Sequence, residues 1–195
     1  MATNDEAVAQ NKLQLEIVTP RGRALSVLAD EVTAPGSTGE FGVMPGHILA
    51  LTALRTGIVS YREAGGEPKR CAIGAGFAES GPNRVVLLTD DYIERPQIDP
   101  VIVRKELAEI QTLIGKAEAQ VELATDGPPR DNPDLRMLIR KENWLAAQLE
   151  LYGDPPFAVS RPYEEFGPPA PPPEDEVPVE ASGEPADAGK RETSK

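Results

Sequence analysis

The chain has one cysteine, one histidine and one tryptophan among 195 residues, with four phenylalanines and four tyrosines. A lone thiol, Cys71, excludes an internal disulfide framework and a cysteine-based metal cluster. It is compatible with a reducing compartment. No window approaches eighteen consecutive apolar residues, which excludes a spanning helix. The first twelve residues, MATNDEAVAQNK, lack both a positive leader and an apolar run and do not read as a secretion signal. The expectation is a soluble chain that meets a membrane only through a partner. Basic charge is also scarce: 32 acidic residues face 20 basic ones, so there is no field to neutralise phosphates and a nucleic-acid partner is not expected.

Proline is abundant, but its placement is uneven. Ten of the 20 prolines fall in residues 153–195, with ten acidic and four basic side chains. Such a segment has too few large apolar groups to offset chain entropy and is predicted to be a disordered, acidic Pro/Glu-rich tail. Phe157, Tyr163 and Phe166 near its start are the side chains able to dock on the body. Residues 1–11, polar and small, are predicted to be disordered too. The remaining body is only mildly acidic and long enough for a core.

Within the body, Leu13, Leu15 and Ile17 alternate with Gln14 and Glu16, the period-two pattern of a half-buried strand. Thr19-Pro20-Arg21-Gly22 reads as a turn, Leu25, Val27 and Leu28 as a second strand, and Val32-Thr33 as a short third. Then comes Ala34 to His47, APGSTGEFGVMPGH, with four glycines and two prolines in fourteen residues. Glycine permits positive φ, and proline fixes φ and removes a donor. The run reads as a shaped loop of tight turns around one very short strand, with Glu40 and His47 near its ends. The same composition suits a plain connector. Ile48 to Leu54, Ile58 to Tyr61, Arg70 to Ile73, Phe77 to Glu79 and Val85 to Leu88 read as further strands between turn signals. Many short strands at this spacing predict an antiparallel sandwich or barrel.

At Asp99 the period changes. Asp99 is a good N-cap and Pro100 a good first helical residue. Val103, Leu107, Ile110, Ile114, Ala117 and Val121 then form an apolar stripe. Asp126-Gly127-Pro128-Pro129 breaks this helix, and Asn132-Pro133 starts another with Leu135, Leu138, Ile139, Leu145, Leu149 and Tyr152 on one side. Two such helices form an antiparallel hairpin. Its charged outer face carries Arg104, Lys105, Arg136, Arg140 and Lys141, for which solvation alone is a sufficient role. The expected division is a β-sandwich over 12–97, a helical hairpin over 98–152 and the tail over 153–195.

Signs of catalysis are few. A histidine-dependent triad would have to use His47, and Ser26, Ser37, Ser60 and Ser80 lack an elbow motif. There is no carboxylate loop for a metal and no phosphate-binding G-x-x-x-x-G-K-[ST]. Gly74-Ala75-Gly76 is half of a dinucleotide fingerprint, but no helix with a third glycine follows, so close strand packing is the expected role. Cys71, beside Ala72 and Ile73 in a predicted strand, is expected to be a small buried apolar group.

Several of these residues together resemble a known family. Leu13-Gln14-Leu15-Glu16-Ile17-Val18-Thr19-Pro20, Ala29 to Gly36, Gly74-Ala75-Gly76-Phe77 and Val86-Leu87-Leu88-Thr89-Asp90 are similar to the ε subunit of F-type ATP synthases. The sharpest match is Gly39-Glu40-Phe41-Gly42-Val43-Met44-Pro45-Gly46-His47, followed by Leu51-Thr52-Ala53-Leu54. The resemblance covers about residues 12 to 152. It implies a ten-stranded β-sandwich with a two-helix C-terminal domain, acting without catalysis in the rotor. The sandwich is implied to grip the γ subunit and rest on the membrane c ring at the cytoplasmic face of a bacterial plasma membrane. Glu40, Phe41, Gly42, Val43, Pro45, Gly46 and His47 are the implied interface to the c ring and γ. The hairpin is implied to move between a compact form and an extended one that reaches the catalytic β subunits and inhibits ATP hydrolysis, with Arg136, Arg140 and Lys141 as candidate contacts.

One departure concerns ATP. Some relatives hold it through I/L-D-x-x-R-A at the start of the first helix. Here Ile98-Asp99 is present, but Ile102 stands three after the aspartate and Val103 follows. The arginine for the phosphates is missing, so no tight ATP site and no cofactor is expected. The acidic tail is a second departure. The alternatives to a rotor subunit are a free-standing β-sandwich interaction module with a helical dimerisation hairpin, and a small hydrolase built on His47.

Overall fold

The computed structural model describes residues 12–63, 65–124 and 133–156. The readings for residues 1–11, for the helix break at 126–129 and for the tail from 157 onward, with Phe157, Tyr163 and Phe166, lie outside the described residues.

Ten strands come first: β1 (Leu13–Thr19), β2 (Gly22–Ala29), β3 (Glu31–Gly36), β4 (Gly39–Val43), β5 (Ala50–Leu54), β6 (Gly57–Arg62), β7 (Lys69–Ile73), β8 (Gly76–Ser80), β9 (Arg84–Thr89) and β10 (Tyr92–Glu94). A short 3-10 turn, Arg95–Gln97, leads to α1 (Pro100–Ala124) and α2 (Pro133–Tyr152). The strands hydrogen-bond in the order β10-β7-β6-β3-β5-β8-β9-β1-β2, with β4 paired to β3. This one ladder folds over itself into a sandwich, as the period-two pattern implies.

The inward residues follow from alternation. Leu13, Leu15 and Ile17 of β1 are fully buried, and meet Val32, Val43, Leu54, Val59, Ile73, Val85 and Leu87 in one core. Cys71 joins that core as a free thiol, in the small apolar role expected of it. Tyr92, outside the reach of any periodic pattern in a three-residue strand, pairs with Ile73 and packs on the same core.

Three features differ from the sequence reading. First, β1 runs parallel to β9, from Gln14↔Arg84 to Val18↔Leu88, inside an otherwise antiparallel ladder. The long excursion from β2 to β8 supplies the crossover that parallel neighbours need. Second, half of the glycine-rich loop is a hairpin: β3 continues through Gly36 and pairs with β4 across Ser37-Thr38, with Gly36 opposite Gly39. Gly39 has φ 139°, which a residue with a Cβ rarely adopts. Pro35 sits where β3 leaves β6, its last partner there being Thr33, and reaches β5 only at Gly36. At this change of partner a missing N–H costs the ladder little. Third, the apolar run from Ile48 is a strand only from Ala50 onward.

Asp99 caps α1 as its sequence predicts, its Oδ1 accepting from the N–H groups of Val101 (3.0 Å) and Ile102 (3.3 Å). Gly153, with φ 105°, closes α2, and the Asp154 N–H bonds the Leu149 carbonyl at 2.9 Å in a Schellman-type end. Val103 and Leu107 of α1 and Leu145 and Leu149 of α2 are buried together with Ile58 of β6 and Ala72 of β7. The helix stripes therefore meet as expected. However, α2 also buries Asn143, Ala146, Ala147 and Leu151, because it lies between α1 and the β6–β7 face. A single-stripe reading could not anticipate that second contact. Ion pairs mark the same junction: Arg70–Glu150 (3.8 Å), Lys141–Glu106 (3.5 Å) and Arg104–Asp154.

Gly74-Ala75-Gly76 performs the close packing expected of it. A Cβ at Gly76 would fall inside the Leu88 carbonyl group of β9, and one at Gly74 would meet the Asp91 amide at 3.1 Å. Neither neighbour is the free end of a side chain, so the backbone itself would have to move. Gly76→Ala is expected to cost about 3 kcal/mol of stability by urea denaturation, and a loss below about 0.5 kcal/mol would show that the strands can part without strain.

Candidate functional site

The candidate surface starts where β4 ends. Met44 to His47 form a turn in which the His47 N–H bonds the Met44 carbonyl at 3.1 Å. Gly46 adopts φ 85°, and its N–H reaches the Pro82 carbonyl at 2.7 Å, tying the loop to the β8–β9 turn. His47 Nδ1 donates to the Ile48 carbonyl at 2.8 Å, with Ser80 Oγ 3.3 Å from the same nitrogen. The loop is thus held by backbone bonds at both ends, while Met44, Ile48 and Leu49 face outward.

Of the interface residues proposed from sequence, Glu40 and Gly42 are exposed and Phe41, Pro45 and His47 are half-buried. Gly46 is exposed as well. Val43 differs: it is fully buried in the sandwich core, because alternation along β4 turns its side chain inward. It can position the loop but cannot touch a partner. On the hairpin, Lys141 is engaged with Glu106, and Arg140 lines a groove of about 460 Å³ with Val18, Pro20, Phe77 and Leu88. The structure therefore brings Arg140 to the sandwich in this arrangement of α2.

The sequence reading missed an exposed apolar strip. Leu51 and Ala53 of β5 stand opposite Glu79 and Phe77 of β8, and Phe77 stands opposite Leu88 of β9, which pairs with Val18 of β1. Residues two apart on a strand share a face, so Leu51, Phe77 and Leu88 lie on the outside of the sandwich. Ile48 is 75%, Leu49 79% and Leu51 75% exposed. Continuous apolar patches of this kind mark protein contacts. A signal was present: Ile48–Leu54 and Val85–Leu88 are apolar on both strand faces, which a half-solvated sheet does not require.

Known proteins resemble this chain in sequence and in fold. Residues 12–95 match the family model "ATP synthase, Delta/Epsilon chain, beta-sandwich domain". An ATP synthase epsilon chain of Magnetococcus marinus is 36% identical over 137 residues, covering 70% of this chain and 91% of the relative. ATP synthase epsilon chain 2 of Syntrophotalea carbinolica is 40% identical over 110 residues, covering 56% of this chain and 74% of the relative. This chain belongs to the ATP synthase epsilon chain family. It is a non-catalytic subunit of the central stalk of an F-type ATP synthase. A chain in the mitochondrial ATP synthase of Euglena gracilis (OSCP/F1/c-ring in rotational state 1) has the same fold, with a TM-score of 0.54 and 21% identity over 71% of this chain and 82% of that one.

No described helix of this epsilon chain is long and apolar enough to cross a membrane. Among the described residues no group of three or more His, Cys, Asp or Glu could hold a metal ion. The perturbed titratable groups serve structure. A hydrogen bond from Lys12 holds Asp30 below the usual carboxylate range, with the Gly65 N–H assisting. Burial pushes the Cys71 thiol up to about 12, with Glu94 adding to the effect, and raises Tyr61 and Tyr92 in the same direction.

Because the folded thiol holds its proton between its ordinary value of 9.0 and about 12, while the unfolded one loses it there, Cys71 favours unfolding as pH rises through that window. At pH 8 the native thiolate is correspondingly scarce. Iodoacetamide is expected to label Cys71 at least about 100-fold more slowly in native protein than in urea, and equal rates would contradict its burial.

Proposed function

We propose that this epsilon chain joins the γ subunit to the membrane c ring, so that ring rotation is passed to γ and on to the catalytic β subunits. The subunit sits at the cytoplasmic face of a bacterial plasma membrane and touches lipid only through the complex. Residues 12–97 act as the gripping unit and 98–152 as a regulatory unit. The exposed strip of Leu51, Phe77 and Leu88 carries the reading: it is an apolar surface on a rigid sheet, which suits a permanent protein contact. The Glu40–His47 stretch, pinned by its backbone bonds, suits the polar loops of the ring, since a preorganised surface loses little entropy on docking. Phe41, Gly42, Pro45 and Gly46 shape that contact, and Val43 anchors it from within.

A C-terminally tagged protein, pulled down from gently solubilised native membranes, should bring γ, α, β and the c ring. Recovery alone would sink the proposal. The Leu51→Asp/Phe77→Asp variant should keep its melting temperature and lose at least about tenfold of the recovered γ, as expected for central apolar anchors, and undiminished recovery would remove the strip from the interface.

The hairpin, in this reading, leaves the sandwich to reach β and slow ATP hydrolysis, with Arg136, Arg140 and Lys141 meeting acidic groups there. The ion pairs that accompany its docking are solvent-exposed, so each contributes little. A triple replacement of these residues by Ala should raise the ATPase rate of the assembled enzyme. An unchanged rate would count against the assignment.

A further inference from the structure

The outer apolar strip ends in a groove of about 460 Å³, whose apolar lining includes Val18, Pro20, Phe77 and Leu88. Its charged lining residues are Asp90 and Arg140, both exposed. Phe77 is 54% and Leu88 49% exposed, so the described residues leave this apolar wall open. A smaller hollow of about 250 Å³ is lined by Arg55 of the β5–β6 turn, Asn143 and Ala147 of α2, and Pro155 and Pro156 beyond α2. The two hollows adjoin on both walls. Leu54, which precedes Arg55, pairs with Gly76 of the groove. On the helix side Arg140 stands three residues before Asn143, about 4.5 Å along the axis.

The chain therefore leaves α2 beside the groove. Beyond Pro156 the sequence over 157–166 reads FAVSRPYEEF. Fully extended, that segment spans up to about 35 Å. Crossing from β5 over β8 and β9 to β1 takes about 15 Å at the spacing of paired strands. Pro155, Pro156 and Pro162 favour extended backbone and limit the entropy lost on docking. Phe157, Tyr163 and Phe166 offer rings to Phe77 and Leu88, and ring pairs gain beyond the area they bury. The charges match in sign, Arg161 for Asp90 and Glu164-Glu165 for Arg140. Such exposed pairs set register more than strength. The tether also gives this segment an effective concentration of about 1 mM at the groove, above that of any second copy in dilute solution. We propose that residues 157–166 fold back along α2 and lay an aromatic side chain in the groove, on Phe77 and Leu88.

The docked segment covers the Phe77 and Leu88 end of the strip in the free subunit. It hides apolar surface that favours self-association. It also competes with γ, weakening that contact by the fraction of time the groove is covered. This consequence rests on the reading that the strip meets γ, whereas docking itself does not.

The test uses the purified full-length subunit carrying the photo-crosslinker p-benzoylphenylalanine in place of Tyr163. It is irradiated at low micromolar concentration as a mixture of isotopically light and heavy chains, and linked peptides are identified by mass spectrometry. Links should run from position 163 to the β8 and β9 strands within one chain, with a yield independent of concentration. Phe77→Asp should lower that yield at least about fivefold, as expected for an apolar anchor. Leu88→Asp, on the neighbouring strand, carries the same test if the first variant does not fold. Arg140→Glu should lower the yield about twofold, the scale of one exposed ion pair. In a separate measurement, the Phe157→Ser/Tyr163→Ser/Phe166→Ser protein should bind anilinonaphthalene sulfonate, a probe of exposed apolar surface, at least about twofold more than the parent. Links confined to light–heavy pairs would assign the groove to a second copy and overturn the proposal. Links to other surfaces only, or a yield unchanged by both aspartate variants, would overturn it as well. None of these readouts needs γ or the assembled synthase, so failure here is separable from failure of the rotor assignment.

Discussion

The fold depends on a strand that changes partners. β3 pairs with β6 through Thr33, crosses Pro35, and meets β5 only at Gly36 while β4 runs along its length. This corner closes one layer onto the other, which lets Val32, Val43 and Leu54 meet Leu15 and Ile17 in a dry interior. Proline and glycine are placed there for distinct reasons. Pro35 needs no ladder donor at the change of partner. Gly36 has no room for a Cβ between the Gly39 carbonyl and the Phe41 ring, and Gly57 of β6 lies against the Pro35 ring. The projecting Met44–Leu49 segment is a direct result, since it follows the hairpin that the corner produces.

The second layer of organisation is the seat of α2. Leu145 and Leu149 share one apolar cluster with Val103 and Leu107 of α1 and with Ile58 and Ala72 of the sandwich, whereas Asn143, Ala146 and Ala147 border the cavity beside the β5–β6 turn. The apolar part of this contact supplies most of its strength, since the surrounding ion pairs are largely exposed. Small residues bring the helix close. The polar and partly open remainder keeps the contact from becoming a continuous core, which suits a segment proposed to dock and release.

Much of this was legible because it is local. The alternation of Leu13, Leu15 and Ile17, the cap formed by Asp99 and Pro100, and the stripe of Val103, Leu107 and Ile114 each depend on residues close in the chain. The glycine-rich stretch was recognised as special. Its division into a hairpin and a pinned turn was not, because the partners that fix it (Pro82, Ser80 and Ala53) come later in sequence. Val43 was misjudged for a related reason: one strand register decides whether a side chain faces a core or a partner.

The amino-acid sequence by itself determined the strand and helix inventory, the caps and turns, the family pattern around Glu40 to His47, and the apolar excess of Ile48–Leu54 and Val85–Leu88. These follow from backbone preferences and periodicity over a few residues. Only the tertiary structure decided that Leu51, Phe77 and Leu88 share one outer face, that β1 lies parallel to β9, and that Arg55 and Asn143 meet across a cavity. Each depends on register and packing between segments distant in the chain, and burial there is set by the assembled geometry of several elements rather than by any one of them.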